Sequence, residues 1–382
     1  MDYHLSEEQI ALVEIAREFA AKEMRPNAAK YDQNHDFPWE IMQKAFDAGF
    51  ITCDIPEVYG GGGLNNFDTA LISEELSAGC PGMFTSMMAV SLATTPIVLF
   101  GSETQKKTFL APLCQKMGLA AFCLTEREAG SDVGSLKTKA KKEGDTYILN
   151  GAKCFITNGG VASLYVVFVN TSPDKGARGL SAFIIPRDTP GLVIGKTEDK
   201  MGHRASNTAE IFFEDCRIPA QNIIGRERMG FIIAMKTFDK TRSSVGAAAV
   251  GIAQAAMDYA VGYAKTRIQF GKPIALHQAT QFKIAQMAME IQAARHLVRH
   301  AAWLTDQGKP CGKESAMAKC FASDVAMRVT TEALQIYGGY GYMKDYPIEK
   351  LMRDAKLLQI YEGTNEIQRQ VIAHEVIGPI KK

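Results

Sequence analysis

The chain has 382 residues, enough for two or three packed units around a large shared core, and 46% of them are hydrophobic, as in an ordinary globular protein. Lys plus Arg number 43 against 42 for Asp plus Glu, a net charge of +1, so no long-range field draws the chain to nucleic acid. Its eight cysteines (Cys53, Cys80, Cys114, Cys123, Cys154, Cys216, Cys311 and Cys320) form no CxxC pair and have no histidine at zinc-ligand spacing, so no metal site is expected and a reducing compartment suits them.

The opening MDYHLSEEQI is acidic and amphipathic, without the basic start and apolar run of a secretory signal and without an Arg-rich transit pattern, so the mature chain is expected to start here. From Ser6 to about residue 121 the pattern is helical. Ile10, Val13, Ile15, Ala16, Phe19 and Ala20 form one apolar stripe, Pro26 is expected to close that segment, and a second helix follows Pro38. The run PEVYGGGGL, 56–64, lacks both the GK[ST] and the preceding strand of a phosphate loop and reads as a flexible connector. Residues 76–102 carry no charge and are long enough to span a membrane. Pro81 and Pro96, with Ser86, Ser91, Thr94 and Thr95, favour a buried core helix instead, so no membrane span is expected.

Between about 122 and 228 short β-rich runs appear: YILNGAKCFITN, LYVVFVN, LSAFIIP and TAEIFFEDCRIP, punctuated by Asn150-Gly151, Asn158-Gly159-Gly160 and Pro190-Gly191. Asn-Gly between alternating segments signals a hairpin, and no long helix separates the runs, so a small antiparallel barrel or sandwich is expected. After Gly230 alanine- and methionine-rich helical segments run to the end, broken near Gly271-Lys272-Pro273, near Gly308-Lys309-Pro310 and at Gly338, Gly339 and Gly341, the pattern of a helical bundle. The chain is thus α+β in three parts, 1–121, 122–228 and 229–382, with no linker of low complexity to separate them.

Ligand sites favour the junctions of such units. In AFCLTEREAGSD, 121–132, a strand ending at Thr125 and the turn Ala129-Gly130-Ser131 leave amides and hydroxyls to face a polar ligand, or make an ordinary loop. In FITNGG, 155–160, Phe155 and Thr157 share one strand face and either flank a flat heteroaromatic ring or simply pack. Arg242 in FDKTR and Arg267 in KTRIQFGKP are phosphate partners or surface charges. The most informative stretch is QIYEGTNEIQR, 359–369. Gly363 breaks the preceding helical pattern, Thr364 can cap the next helix, and Ile367, Val371 and Ile372 recur at helical spacing. Glu362 on that bend is either a solvated turn residue or a general base whose pKa desolvation raises while the nearby helix N-terminus opposes. No Walker motif, HExxH, nucleophile elbow or Rossmann fingerprint is present.

Taken in order, these segments resemble the acyl-CoA dehydrogenase family essentially end to end. AFCLTEREAGSD resembles its first signature and LMRDAKLLQIYEGTNEIQR its second, with FITNGG, KMGHRASNTAEIFFEDCRIP, FDKTR, RIQFGKP and QIYGGYGY between them at the expected places. The resemblance implies an N-terminal helical domain, a central β domain and a C-terminal four-helix bundle, assembled as a homotetramer with one FAD per subunit. It implies that Phe122, Leu124, Thr125 and Ser131 touch the flavin, Ser131 also the thioester, and that Phe155, Ile156 and Thr157 lie on the other side of the ring. Arg267, Phe270, Gln278, Gln335, Ile336, Gly338 and Gly339 would bind the ADP half of FAD, partly across a subunit interface, and Thr364 and Glu366 would complete that site. Asp239 and Arg242 would lie near the CoA moiety, and Tyr361 and Gly363 at the substrate.

Glu362 resembles the family's catalytic base, which removes the α-proton of a saturated acyl-CoA while the β-hydrogen leaves as hydride to flavin N5 and electrons pass to an electron-transfer flavoprotein. Some members carry the base at the position of Thr241, so this chain resembles the straight short- and medium-chain branch. Arg127-Glu128 departs from the family pattern and is expected to be a solvated pair or to tune an acceptor contact. Met87, Met88 and Val90, in the segment expected to floor the acyl pocket, suit a shortened pocket or one adapted to branched or cyclic acyl groups. The competing expectations are an enoyl-CoA reductase running the reverse reaction and a CoA-ester-binding protein without turnover. The expected compartment is the cytoplasm, or a mitochondrial matrix after removal of a transit peptide.

Overall fold

The computed structural model describes residues 4–379; residues 1–3, the start of the acidic N-terminal segment, and 380–382 lie outside the described residues. Helices α1 (Glu7–Phe19), α2 (Ala28–Asn34), α3 (Trp39–Asp47), α4 (Asn66–Gly79), α5 (Pro81–Phe100), α6 (Glu103–Phe109) and α7 (Ala111–Gln115) come first. Ser6 and Gln9 close a reciprocal capping box on α1. Pro26 does not close this segment. The chain winds on through a π turn (Ala20–Met24) and a 3-10 turn (Arg25–Asn27) into α2, the change of pitch absorbing the missing proline N–H. The glycine run is also not a flexible connector. Gly62, Gly63 and Leu64 donate backbone hydrogen bonds to Thr52, Ile55 and Cys53, and a Cβ on Gly61 would lie 2.1 Å from the Ile55 carbonyl oxygen. Helix α5 is buried along most of its length, as its uncharged composition requires.

Strands β1 (Ala120–Cys123), β2 (Lys139–Glu143), β3 (Thr146–Thr157), β4 (Leu164–Asn170), β5 (Leu180–Pro186), β6 (Leu192–Thr197) and β7 (Thr208–Pro219) form one sheet in the order β1-β4-β2-β3-β7-β6, with β5 on β4. Most pairs are antiparallel, but β1 runs parallel to β4, and β2 touches β4 in parallel at Lys139 and Asn170. The sheet is therefore mixed, because the whole β2–β3 hairpin intervenes before the chain returns beside β1. Asn150-Gly151 is a bulge inside β3, not a turn. The Asn150 side chain exchanges two hydrogen bonds with Asp215, and a Cβ on Gly151, at φ 145°, would meet Thr138 Oγ1 at 2.6 Å. The hairpin turn falls at Gly144 and Asp145.

Strand alternation divides β4 between two cores. Leu164, Val166 and Phe168 face the helices, while Tyr165, Val167 and Val169 join Tyr147, Phe183, Ile211 and Phe213 inside the curved sheet. Helix α8 (Gly230–Thr266) then crosses the molecule. It is followed by the hairpin β8 (Ile268–Gln269) and β9 (Lys272–Pro273) and by α9 (Gln278–Asp306), α10 (Gly312–Tyr337), α11 (Ile348–Leu358) and α12 (Asn365–Ile377). A buried polar knot joins the parts. His203, between β6 and β7, donates its N–H to Asp354 Oδ1 of α11 (2.6 Å) and shares a 2.8 Å contact through Nδ1 with Thr85 of α5. Lys350 completes it with a 2.6 Å ion pair to Asp354.

Alanines and glycines let α8 approach its neighbours to backbone contact. Ser77 of α4 donates to Ala248 O at 2.9 Å, and a Cβ on Gly251 would stand 2.0 Å from Glu74 O. Because those obstructing atoms are backbone, Gly251→Ala is expected to destabilise the protein by about 2–3 kcal/mol. Urea unfolding checks this, and an unchanged midpoint would mean that α4 and α8 separate freely.

Candidate active site

Helix α11 ends at Leu358 and α12 begins at Asn365, so the motif 359–364 is the turn between them. Thr364 is the N-cap, its hydroxyl accepting from Ile367 N–H at 3.3 Å. Glu362 and Gly363 both take positive φ, 50° and 89°, which reverses the chain within two residues. A left-handed glutamate is uncommon and its backbone is strained. The bend is held from below by polar side chains. Lys319 of α10 donates to Gly363 O (2.8 Å) and Asn365 Oδ1 (2.9 Å), and Gln368 of α12 donates to Gly363 O (2.9 Å) and Glu362 O (3.2 Å).

The Glu362 side chain is buried, at 9% exposure. Its Oε2 accepts from Thr241 Oγ1 of α8 at 2.8 Å, whereas Oε1 has no partner among the described residues. Nor does the Glu362 N–H find an acceptor among the described residues. Burial raises the Glu362 pKa above the ordinary carboxylate range, and the Thr241 hydrogen bond and the charges of Arg242 and Lys319 oppose that rise without cancelling it. Arg242 is itself buried, with Asp239 at 3.6 Å and the Phe238 ring 5.7 Å from its guanidinium carbon. The Tyr361 hydroxyl is buried, with Thr85 of α5 near it but no well-formed hydrogen bond among the described residues. Glu362, Tyr361, Gly363, Thr364, Asp239 and Arg242 thus stand around one bend and one helix.

The β domain reaches the same place through aromatic contacts. The Phe122 ring, on the helix-facing side of β1, lies 4.7 Å from Phe168 and 5.6 Å from Phe238, one turn before Arg242. The loop after β1 is anchored rather than free. Glu126 accepts from Lys137 N–H (2.6 Å), Thr138 N–H (3.0 Å) and the buried Lys153 amine (2.7 Å), which also donates to Leu124 O (2.9 Å). Cys154 N–H donates to Thr125 O at 3.0 Å, drawing Thr125 beside β3. A register shift there turns Phe155 outward, at φ 56° and 65% exposed, with Thr157 two residues on. Ser131 and Gly130 are exposed, and a Cβ on Gly130 would meet nothing within 4 Å. The side chains of Leu124 and Ile156 are buried and pack into the two cores. The Arg127-Glu128 pair is split, Arg127 meeting Glu210 and Glu128 meeting Lys137.

A second set lies apart. Arg267, Phe270, Gln278, Gln335, Ile336, Gly338 and Gly339 gather around the β8–β9 hairpin, the start of α9 and the end of α10, where the Arg267 guanidinium carbon stands 5.4 Å from the Tyr340 ring centre. Lys319 and Gln335 are separated by about 24 Å along α10, at ~1.5 Å per residue. Phe270 is 94% exposed at φ 53°. Glu366 is exposed on the first turn of α12, beside the Thr364 cap. Lys319, Gln368 and the Lys153–Glu126 pair escape motif reading, although a lysine and an acid within the alanine-rich stretch ESAMAKCFASD were a visible signal.

Models of three protein domains match the chain: acyl-CoA dehydrogenase, N-terminal domain (residues 6–117), middle domain (121–216) and C-terminal domain (228–377). An acyl-CoA dehydrogenase of Bacillus subtilis is 47% identical over 98% of this chain and 99% of its own. An acryloyl-CoA reductase (NADH) of Anaerotignum propionicum is 48% identical over 99% of this chain and 96% of its own. Among solved structures, butyryl-CoA dehydrogenase from Megasphaera elsdenii superimposes with a TM-score of 0.97 at 45% identity, covering 99% of this chain and 100% of its own. A structure described under the electron transferring flavoprotein of Acidaminococcus fermentans has the same TM-score at 48% identity and the same coverage.

Among the described residues the hydroxyl of Thr241 is the one side-chain donor on the Glu362 carboxylate. Thr241→Val is expected to raise the Glu362 protonation midpoint by about one pH unit, from the ~1.5 kcal/mol of a hydrogen bond to a charged group. The protonated-carboxyl infrared band, followed against pH, measures it; an unmoved midpoint would show the bond to be idle.

Proposed function

Because the chain belongs to the acyl-CoA dehydrogenase family of flavin-dependent oxidoreductases, we propose that it interconverts a short- or medium-chain acyl-CoA and its 2-enoyl-CoA with FAD as cofactor and Glu362 as base. The observation that carries this reading is the state of Glu362: buried, with Oε1 and its own N–H both unpartnered at a bend. One residue then offers a proton acceptor and a hydrogen-bond donor side by side. Oε1 takes the α-proton while Oε2 keeps the Thr241 bond, and the N–H polarises the thioester carbonyl as negative charge develops on its oxygen. The raised carboxyl pKa strengthens the base, so proton abstraction fails as pH falls through a value above the usual carboxylate range.

The residues present fit FAD. Phe155 is turned outward on its bulge to cover a flat ring, Thr125 is drawn beside β3 with Thr157 two residues beyond Phe155, Ser131 is exposed in the loop after β1, and open space stands over Gly130. When bound, FAD accepts the hydride equivalent from the β-carbon. Phe270 and Ile268 on the hairpin, Leu276 after it, and Phe282 and Met289 on α9 are all large apolar side chains left exposed, as a covered face requires. We place that second set on the ADP half of a neighbouring copy's FAD in a homotetramer. Met83, Met87, Met88 and Val90 are all packed tightly along α5, which favours short acyl chains, in keeping with the butyryl-CoA and acryloyl-CoA relatives. An electron-transfer flavoprotein is the proposed electron partner, supported by the structural neighbour of that description. The reductase relative supports a second reading in which the same groups run in reverse.

Glu362→Gln is expected to keep its yellow cofactor and to slow bleaching by butyryl-CoA about 10³-fold under anaerobic conditions. Undiminished bleaching would remove Glu362 as the base, and bleaching only by longer or branched thioesters would remove the short-chain assignment. Phe270→Asp is expected to release subunits and flavin together, read by sedimentation and absorbance; an intact flavin-bearing tetramer would overturn the shared site.

A further inference from the structure

Lys319 sits near the start of α10 with its side chain wholly buried, yet among the described residues it forms no ion pair within 4 Å. Its amine spends its hydrogen bonds on neutral acceptors, Gly363 O and Asn365 Oδ1, one on each side of the Thr364 cap. Burying an ammonium group is costly unless something nearby needs it, and hydrogen bonds to a carbonyl and an amide need no charge. The group that does need one is the carboxylate next to the gripped carbonyl. We infer that Lys319 is a positioning residue for Glu362, clamping the bend that aims the carboxylate and supplying a positive charge that keeps it ionised inside the protein. This deepens the reading of Glu362 as the base and rests on it.

The charged and polar surroundings define how the effect is shared. Glu362 faces Thr241 and Arg242 from α8 and Lys319 from α10, with Tyr361 beside it in the turn. Lys319 faces Glu362 from the bend, Arg242 from α8, and Cys320 and Asp324 on its own helix. Arg242 is partly engaged by Asp239, so it does not replace Lys319. Burial lowers the Lys319 amine to about 8, and a neutral amine still has N–H donors. Hence the clamp persists above that pH while the charge disappears. The sign of a substitution follows: with the lysine charge gone, burial is less opposed and the Glu362 pKa moves further up.

The test uses the full-length holoenzyme with two substitutions. Lys319→Gln keeps a hydrogen-bond donor without charge, and Lys319→Met removes both. The infrared band of the protonated Glu362 carboxyl is assigned by its loss in Glu362→Gln and titrated in each protein. In Lys319→Gln the midpoint is expected to rise by about one pH unit, with the acid limb of butyryl-CoA oxidation moving by the same amount. In Lys319→Met the pH-independent rate is expected to fall about tenfold as well, because the bend is no longer clamped. Coincident midpoints in the parent and Lys319→Gln would overturn the inference, whatever becomes of Lys319→Met, and would leave Lys319 a plain packing residue. If Glu362→Gln turns over normally the base reading fails instead, and the infrared midpoint reports separately on the coupling of the two side chains.

Discussion

Close contact between α8 and the helices around it governs everything that happens at Glu362. Gly246 lies against Val298 of α9 and Gly251 against the α4 backbone, and the alanines between them keep α8 within reach of α10. Thr241 and Arg242 enter the site from α8, Lys319 from α10 and Glu362 from the turn before α12, so three independent segments meet at one carboxylate. A bulkier helix surface would move the Thr241 hydroxyl beyond hydrogen-bond range and leave the buried acid without its donor. Backbone-to-backbone packing thus works here as a distance standard for the chemistry.

The electrostatic arrangement is a balance of opposed terms. Desolvation pushes Glu362 toward the neutral acid, whereas Thr241, Arg242 and Lys319 pull it toward the carboxylate. A base must be ionised to accept a proton and yet be basic enough to hold it, and neither term alone provides both. Farther out, the His203–Asp354–Lys350 knot ties α11 to α5 and to the sheet, so the turn that follows α11 starts from a fixed platform. Burial lowers the His203 pKa, and its neutral ring then serves as a hydrogen-bonding spacer.

Three strained residues stand where function is proposed. Eight non-glycine residues among those described have positive φ, and Phe155, Phe270 and Glu362 are three of them. Each presents a side chain or a backbone group that regular structure would turn inward or pair. Phe155 stands out from a bulged strand, Phe270 from a hairpin, and Glu362 keeps its N–H and Oε1 free on a two-residue reversal. The surrounding hydrogen bonds, above all those of Lys319 and Gln368 to the bend, hold conformations that the local sequence does not favour.

Much of this was written in local pattern. Apolar periodicity located the helices, the alternation of LYVVFVN made a strand, and Gly363-Thr364 marked the bend and its cap, because these features depend on neighbours a few residues away. Local pattern failed where a distant partner decided the outcome. Asn150-Gly151 looks like a turn until Asp215 and Thr138 hold it as a bulge, and the parallel partner of β1 lies beyond a whole hairpin. The glycine run 56–64 looks loose until its amides find Thr52, Ile55 and Cys53. The sequence alone determined the order of helices and strands and put a glutamate on a capped bend. Only the tertiary structure decided that this glutamate is buried, bonded to Thr241 and flanked by Arg242 and Lys319, because desolvation and Coulomb interaction depend on distances in space rather than along the chain.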